Sequence, residues 1–394
     1  MWPGITYETR AWQRDPDELA LIPKSRRRKI LPTYEAAVPA NIAALPVEIS
    51  AALARRLAEV EVLLARFDQE QVARGYALPA LLLRSESSSS SQIERLTSSV
   101  RNVALAELSN KAPANALLIA GNVAAMREAL SQRGVIDIDS ICAIHDVLMQ
   151  GTGEVMGLRE EQVWIGGSPY SPHGATFVPP YADRVQSCLE DLVAFVTRED
   201  IPPVAKAAIV HAQFETIHPF TDGNGRTGRT LLHRMLAADE VLLHTMLPVS
   251  AGLLHDVDRY MNAIEAYHGG RIEPIIECLA DALELAVVIG LRIASDVDKV
   301  LAGWAAANTD RVGSASHRLP ALLIEQPVVN VAYVASHLSI TNRAARSLVE
   351  TACKRDILTK IGNARRGAFY QAPDLIAVLE EVSSLQGIRR IAMR

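Results

Sequence analysis

Between His218 and Arg229 the chain reads His-Pro-Phe-Thr-Asp-Gly-Asn-Gly-Arg-Thr-Gly-Arg, twelve residues that carry a base, a carboxylate, three glycines and two arginines. His218 is the one group in this stretch that titrates near neutrality, so it is the candidate general base for a hydroxyl nucleophile. Asp222 is a hard oxygen ligand suited to Mg²⁺, an ion that takes most of its other ligands from phosphates and water. Gly223 and Gly225 flank Asn224, and a backbone free to take positive φ can turn successive N–H groups toward one anion. The residues from Arg226 through Thr227, Gly228 and on to Leu236 read as a helix, which would place that anion at a helix N-terminus. Arg226 and Arg229 lie three apart on one helical face, two forked cations for consecutive phosphates. A lone Gly-x-Gly in front of a helix is more often only a turn. Here every element suits one class of chemistry, the transfer of a phosphorus-containing group to a hydroxyl.

The elements that must position these residues are mainly helices. The segment ending near Thr216 carries Ile209, Ala212, Phe214 and Ile217 at helical spacing and delivers His218 at its end. Helical spacing is also read over 47–67, 114–131, 138–150, 183–197, 203–216, 225–238, 253–267 and 273–298. In 47–67 the apolar positions are Val47, Ile49, Leu53, Leu57, Val60, Val62, Leu63 and Leu64. Gln162-Val163-Trp164-Ile165-Gly166-Gly167 and Ala175 to Pro180 are β-leaning runs on either side of a Ser/Pro/Gly turn, which predicts a hairpin.

Composition sets the outer bounds. The chain has 394 residues, 49% hydrophobic but only 5% aromatic, as expected for a helical protein rich in Ala and Leu. A net charge of −5 argues against nucleic-acid binding over the whole surface. Cys142, Cys188, Cys278 and Cys353 are scattered without a CxxC pair, which reads as reduced thiols rather than a disulfide frame or zinc site. Met1 to Glu8 lack a basic stretch followed by an apolar core, and the most apolar run, Leu285 to Leu291, is too short to span a bilayer. The expectation is a cytoplasmic protein without a membrane partner. The basic cluster Ser25 to Lys29 reads as a solvated loop.

The His218–Arg229 stretch resembles the signature of the Fic family, H-P-F-x-[D/E]-G-N-G-R-x-x-R, without a gap or substitution. The resemblance implies a protein adenylyltransferase that moves AMP from ATP to a Ser, Thr or Tyr hydroxyl of a target protein. It gives His218 as base and Asp222 as Mg²⁺ ligand, and places Gly223, Asn224, Gly225, Arg226, Thr227, Gly228 and Arg229 on ATP. Phe220 would anchor the loop. The related Doc branch carries lysine where this chain has Gly225, which favours AMP transfer over phosphorylation. Ser90-Ser91-Gln92-Ile93-Glu94-Arg95 resembles the family's inhibitory motif, [S/T]-x-x-x-E-[G/N], so that Glu94 would pair with Arg229 and exclude the ATP γ-phosphate. Arg95 departs from that pattern. Taken without this resemblance, Ser85 to Ser91 reads as a polar linker, since serine is a poor helix former. The hairpin with Val163, Trp164, Ile165 and Gly166 resembles the family flap that aligns a target strand. Gly157-Leu158-Arg159 is a further common element, and Tyr260 falls where relatives offer an aromatic residue to adenine. A homodimer and a reverse, AMP-removing activity are also implied by the resemblance.

Beyond about 303 the composition changes. Val331 to Leu338, a turn, a helix from Thr341 to about Arg355 and a hairpin around Gly362 to Gly367 resemble a winged helix-turn-helix. From Arg311 onward there are 12 Lys/Arg against 6 Asp/Glu, a local +6 that leaves −11 on the remainder. Arg343, Arg346, Lys354, Arg355, Lys360, Arg365 and Arg366 make DNA binding through 331–370 physically open. The expected division is 1–110, an N-terminal helical region with the inhibitory motif; 111–302, the catalytic core; and 303–394, the winged helix. The competing reading is a DNA-binding regulator whose core senses nucleotide. A narrower one keeps the transferase and changes the nucleotide donor.

Overall fold

The structure, a computed structural model, describes residues 2–12, 22–74, 76–131, 134–153, 155–364 and 367–393. Arg365 and Arg366 lie outside the described residues, as do the side chains of Ser25 and Arg26 from the basic cluster. The chain opens on an antiparallel pair, β1 (Thr6–Ala11) and β2 (Thr33–Val38), with a single helical turn at Lys24–Arg27 between them. Helices follow: α1 (Ala51–Val72), α2 (Leu78–Ile93), α3 (Val100–Ala106), α4 (Ala114–Ser131), α5 (Ile138–Met149), α6 (Ala182–Val196), α7 (Pro203–Ile217), α8 (Asn224–Ala238), α9 (Val249–His255), α10 (Val257–His268) and α11 (Glu273–Ala307). The last part runs α12 (Leu319–Glu325), β3 (Val328–Asn330), α13 (Val331–His337), α14 (Asn342–Lys354), β4 (Thr359–Ile361), β5 (Phe369–Gln371), α15 (Pro373–Ser383) and α16 (Leu385–Ala392). The fold is mainly α, as the periodicity predicts. Among the described residues no helix is long and apolar enough to cross a membrane.

Several boundaries move for local reasons. The 47–67 segment becomes helical only at Ala51, and its Val62 is 52% exposed, because Leu53, Leu57, Val60, Leu64 and Phe67 already fill the buried stripe. The segment expected as one helix over 253–267 is two, α9 and α10, separated at Asp256 with φ −140°. α11 runs nine residues beyond the expected end at 298 and passes 302 without a break, so the change of composition near 303 falls inside a helix. Gly225, expected to supply positive φ, is instead the second residue of α8, and Gly223 alone of the pair takes the left-handed conformation, at φ 75°. The hairpin expected over 162–180 is held by the antiparallel bridges Ile165–Phe177 and Ser168–Ser171 without regular strands.

Two compact units organise the chain. One combines 1–55, 134–235 and 258–278. Its core is α7, on which nearly every residue from Val204 to Ile217 is buried, packed against α6. Asp191 of α6 accepts from the Ile42 and Ala43 amides and so ties the chain after β2 to this helix.

The other unit combines 56–133, 236–257 and 279–394. Its central helix is α2, which packs against α4, α9, α12 and α15. Ser85 to Ser91, readable as a linker, are all buried on this helix, where small side chains let four neighbours approach. Arg84 makes a bidentate pair with Glu107, at 2.7 and 2.9 Å, and donates to Gln326 Oε1. The Glu86 carboxylate accepts from the Ser250 amide at the start of α9, where the helix dipole favours an anion. β3, β5 and β4 form a three-stranded antiparallel sheet in that order beside the α13–α14 helix pair.

Candidate active site

α7 stops at Ile217 because His218 takes a left-handed conformation (φ 50°, ψ 62°), while its N–H still donates to the Phe214 carbonyl at 2.9 Å. A non-glycine residue in that region stores strain that surrounding contacts must hold in place. Arg159 supplies them. Its guanidinium donates to four carbonyls: His218 at 2.7 Å, Glu161 at 3.0 Å, Pro180 at 2.5 Å and Ile217 at 3.3 Å. Its own N–H donates to the Pro219 carbonyl. The group is 3% exposed and has no carboxylate among these partners, and desolvation pulls its pKa down to about 10, still protonated at neutral pH.

The His218 Nδ1 lies 3.4 Å from the Glu215 carbonyl. A carbonyl can only accept, so the proton belongs on Nδ1 and the lone pair on Nε2. Burial, helped by the Arg159 charge, lowers the His218 pKa to about 4, so the ring is neutral and ready to take a proton at physiological pH.

The loop after His218 is closed by its own side chains. The Asn224 carboxamide forms a ring with Phe220: the Phe220 N–H donates to Oδ1 and Nδ2 donates to the Phe220 carbonyl, both at 2.9 Å. Asn224 therefore shapes the loop with its side chain rather than offering it to a ligand. Phe220 is fully buried and stacks on His145, with ring centroids 3.7 Å apart and planes 4° from parallel. His145 Nε2 donates to the Asp222 carbonyl at 3.1 Å, and burial lowers its pKa, so it is a neutral donor. Gly223 takes its left-handed turn directly against α5. A side chain there would meet Met149 Sδ at 3.0 Å and Leu148 Cδ2 at 3.2 Å. Gly228 is needed for another reason, since an added Cβ would come within 2.9 Å of both Phe214 and Glu215 on α7.

This frame leaves the Asp222 side chain 59% exposed, 3.4 Å from the otherwise buried Arg226 guanidinium. Arg226, Thr227 and Arg229 occupy the first turns of α8, with backbone donors at the helix N-terminus beside Gly223. Arg229 adjoins the Tyr260 hydroxyl, which makes a 2.7 Å hydrogen bond to His211 Nε2. Tyr260 is 2% exposed and its ring stacks on His211. Burial and the Arg229 charge take the His211 pKa down to about 3.

In the flap, Trp164 Nε1 donates to the Ser168 carbonyl at 2.7 Å, Val163 is half-buried, and Ile165 and Gly166 are exposed. His268 fixes the flap's second arm by stacking on Phe177 and contacting the Thr216 hydroxyl at 3.0 Å. Ser90 and Glu94 lie in the other compact unit, Ser90 fully buried and Glu94 at the C-cap of α2. His145, His211 and His268 are the residues the sequence reading passes over. Their only signal is a histidine at an apolar helical position.

Residues 135–236 match the Fic/DOC family. A probable protein adenylyltransferase of Aquifex aeolicus is 37% identical over 100 residues, which are 25% of this chain and 29% of that protein. The protein adenylyltransferase Fic of Aedes aegypti is 28% identical over 170 residues, 43% of this chain and 32% of that one. The chain thus spans about a third or less of the length of the curated relatives it matches. A Fic family protein from Desulfovibrio desulfuricans shares the fold over 83% of this chain and 97% of its own, with a TM-score of 0.55 at 21% identity.

Proposed function

We propose that this protein is an adenylyltransferase that moves AMP from ATP to a hydroxyl side chain of a target protein. The observation that carries the reading is His218: a neutral imidazole with its lone pair on Nε2, set beside a helix N-terminus that gathers Asp222, Arg226 and Arg229. The target hydroxyl gives its proton to Nε2 as its oxygen bonds to the α-phosphorus, and the bond from that phosphorus to pyrophosphate breaks. Arg226, Arg229 and the backbone amides at the start of α8 neutralise the phosphate charge. The flap is exposed at Ile165 and Gly166 and is where a target segment would lie, although the Ile165 N–H and carbonyl are themselves bonded to Phe177 and Thr176 on the second arm.

Among the described residues no three His, Cys, Asp or Glu side chains come together as a metal site. One exposed carboxylate, Asp222, fits Mg²⁺, which binds through one or two carboxylates together with phosphates and water. When bound, the ion would offset charge on the phosphates. Glu94 acts as the inhibitory carboxylate in this reading, in competition with the γ-phosphate for Arg229.

The test is transfer of label from α-³²P-ATP to protein, as self-modification and in lysate, with Mg²⁺. Glu94→Gly should label strongly, and adding His218→Ala should abolish the label. If no form labels although ATP binds, another nucleotide donor or the sensor reading takes its place.

A further inference from the structure

α13 and α14 are joined by a tight turn in which Ser339 takes a left-handed conformation (φ 53°) and the Ile340 amide donates back to the Ala335 carbonyl at 3.0 Å. Thr341 caps α14 by accepting from the Ala344 amide. Ala345, Val349 and Ala352 seat one face of α14 in the module, with Leu338 buried beneath the turn. The opposite face is solvent-exposed and carries Asn342, Arg343, Arg346 and Ser347 on its first half, then Glu350 and Lys354. Lys360, on the edge strand β4, is exposed as well. Arg355, which the sequence groups with these cations, is not available. Its guanidinium is held by a bidentate pair with Asp310, at 2.7 and 3.1 Å, and by the Asn308 side chain.

We propose that the exposed face of α14, together with the exposed Lys360 of β4, is a binding surface for duplex DNA. Charge complementarity selects this occupant. In a chain whose net charge is −5, the exposed surface named here carries the cations Arg343, Arg346, Lys354 and Lys360 against the carboxylate of Glu350. Arg343 and Arg346 stand on the first half of the helix, and Glu350 follows Arg346 by one turn as the acidic residue of this face. A helix about 10–12 Å across matches a major groove about 12 Å wide, and the first half of the second helix in such a pair is the part that reaches base edges. Asn342 and the two arginines stand there. Arginine pairs with guanine edges and asparagine with adenine, while Lys354 and Lys360 are placed for phosphates.

The test uses the full chain and a fluorescein-labelled mixed-sequence duplex of about 25 base pairs, read by anisotropy between about 50 and 200 mM salt. Binding should weaken at least about tenfold across that range, since each neutralised phosphate contributes about 0.9 to the salt slope. Arg343→Glu with Arg346→Glu should weaken binding at least about tenfold at low salt, and Lys354→Gln with Lys360→Gln should lower the salt slope by about two. Both arginine side chains are exposed, so thermal denaturation should be unchanged in that pair. Arg55→Glu with Arg66→Glu, the same charge change on the exposed face of α1, should leave binding intact. No binding of duplex at low salt, an equal loss in the α1 control, or binding of single-stranded RNA alone would each overturn the proposal. His218→Ala should bind DNA as the wild type does, so a catalytic failure and a DNA failure are told apart.

Discussion

Replacing Arg159 by methionine keeps an unbranched apolar stem and removes the guanidinium with its five donors. Four carbonyls, those of His218, Ile217, Pro180 and Glu161, lose a charged donor at once. Hydrogen bonds from a charged group contribute about 1.5–3 kcal/mol each, or about 6–12 kcal/mol for four. Against this stands the cost of a buried cation. The drop of its pKa to about 10, roughly two and a half pH units at about 1.4 kcal/mol each, costs about 3 kcal/mol. Removing the group relieves that cost and lets water reach some carbonyls, so a loss of about 3–5 kcal/mol is expected, the usual range for breaking a buried charged contact. Urea denaturation at neutral pH measures it.

The kinetic consequence is separate. His218 sits in a strained left-handed conformation held by Arg159, and a base displaced by about 1 Å costs about a hundredfold in rate. In a Glu94→Gly background, kcat for self-modification should fall by about that factor in Arg159→Met while ATP affinity stays within a few-fold. Arg159→Lys should lie between, because one ammonium cannot span four carbonyls. A destabilisation under about 1 kcal/mol with unchanged kcat would refute the assignment of Arg159 as the residue that positions His218.

Arg95 is exposed, at φ 63°, just past the C-cap of α2, where its amide donates to Gln92 and that of Leu96 donates to Ser91. Arg95→Gly should therefore raise stability by about 1 kcal/mol, seen as a higher denaturation midpoint. Asn224→Asp keeps the acceptor for the Phe220 amide but sets a carboxylate oxygen against the Phe220 carbonyl. It should cost about 2–4 kcal/mol by urea denaturation and abolish transfer. His211 and His218 are held at pKa values of about 3 and 4, below the 6.5 of the unfolded chain. The unfolded state then binds more protons, so stability should be full above about pH 6.5 and decline toward pH 4, by about 2 kcal/mol at pH 5 for buried His211 and less for part-exposed His218. Denaturation midpoints at pH 8, 6 and 5 would show it, and a flat profile would contradict the burial of neutral histidines. For transfer itself, kcat/KM should hold down to near pH 5 instead of halving near 6.5.

The loop was legible in the sequence because its parts are contiguous: base, carboxylate, glycines and arginines fall within twelve residues, and each has a local physical reason. What fixes the loop was not, because it arrives from far along the chain. His145 is a fully buried position on α5 among Ile141, Ile144 and Leu148, and periodicity alone makes it core. Only the folded chain shows its ring against Phe220, 75 positions later. His211 is hidden in the same way on α7. Arg159 was marked as part of a recurring Gly-Leu-Arg, with no sign that its partners would be carbonyls. The break at Asp256 has no signal in the sequence, since neither proline nor glycine marks it. The serines of α2 misled in the opposite direction: their low helix propensity is overridden by burial among four helices.

α2 also bears on how the two proposals relate. The helix that carries Ser90 and Glu94 is built into the same compact unit as the α13–α14 pair. Its first half is tied through Arg84 to Gln326 at the end of α12, and its last turn through the Gln92 amide to the Ser383 carbonyl at the end of α15, 2.6 Å away. Gln326 and Ser383 bracket the α13–α14 pair and its sheet in sequence. A force on that module therefore reaches the Glu94 helix through two named hydrogen bonds and shared apolar packing, with no intervening linker. Physical continuity is not yet coupling. A DNA that binds equally well whether Glu94 is seated or withdrawn leaves transfer unchanged, however tightly it binds. Where it does discriminate, thermodynamic reciprocity requires ATP to shift DNA affinity by the same factor that DNA shifts ATP affinity. That equality needs both ligands to act on one equilibrium, which under the proposed function is the competition of Glu94 with the γ-phosphate.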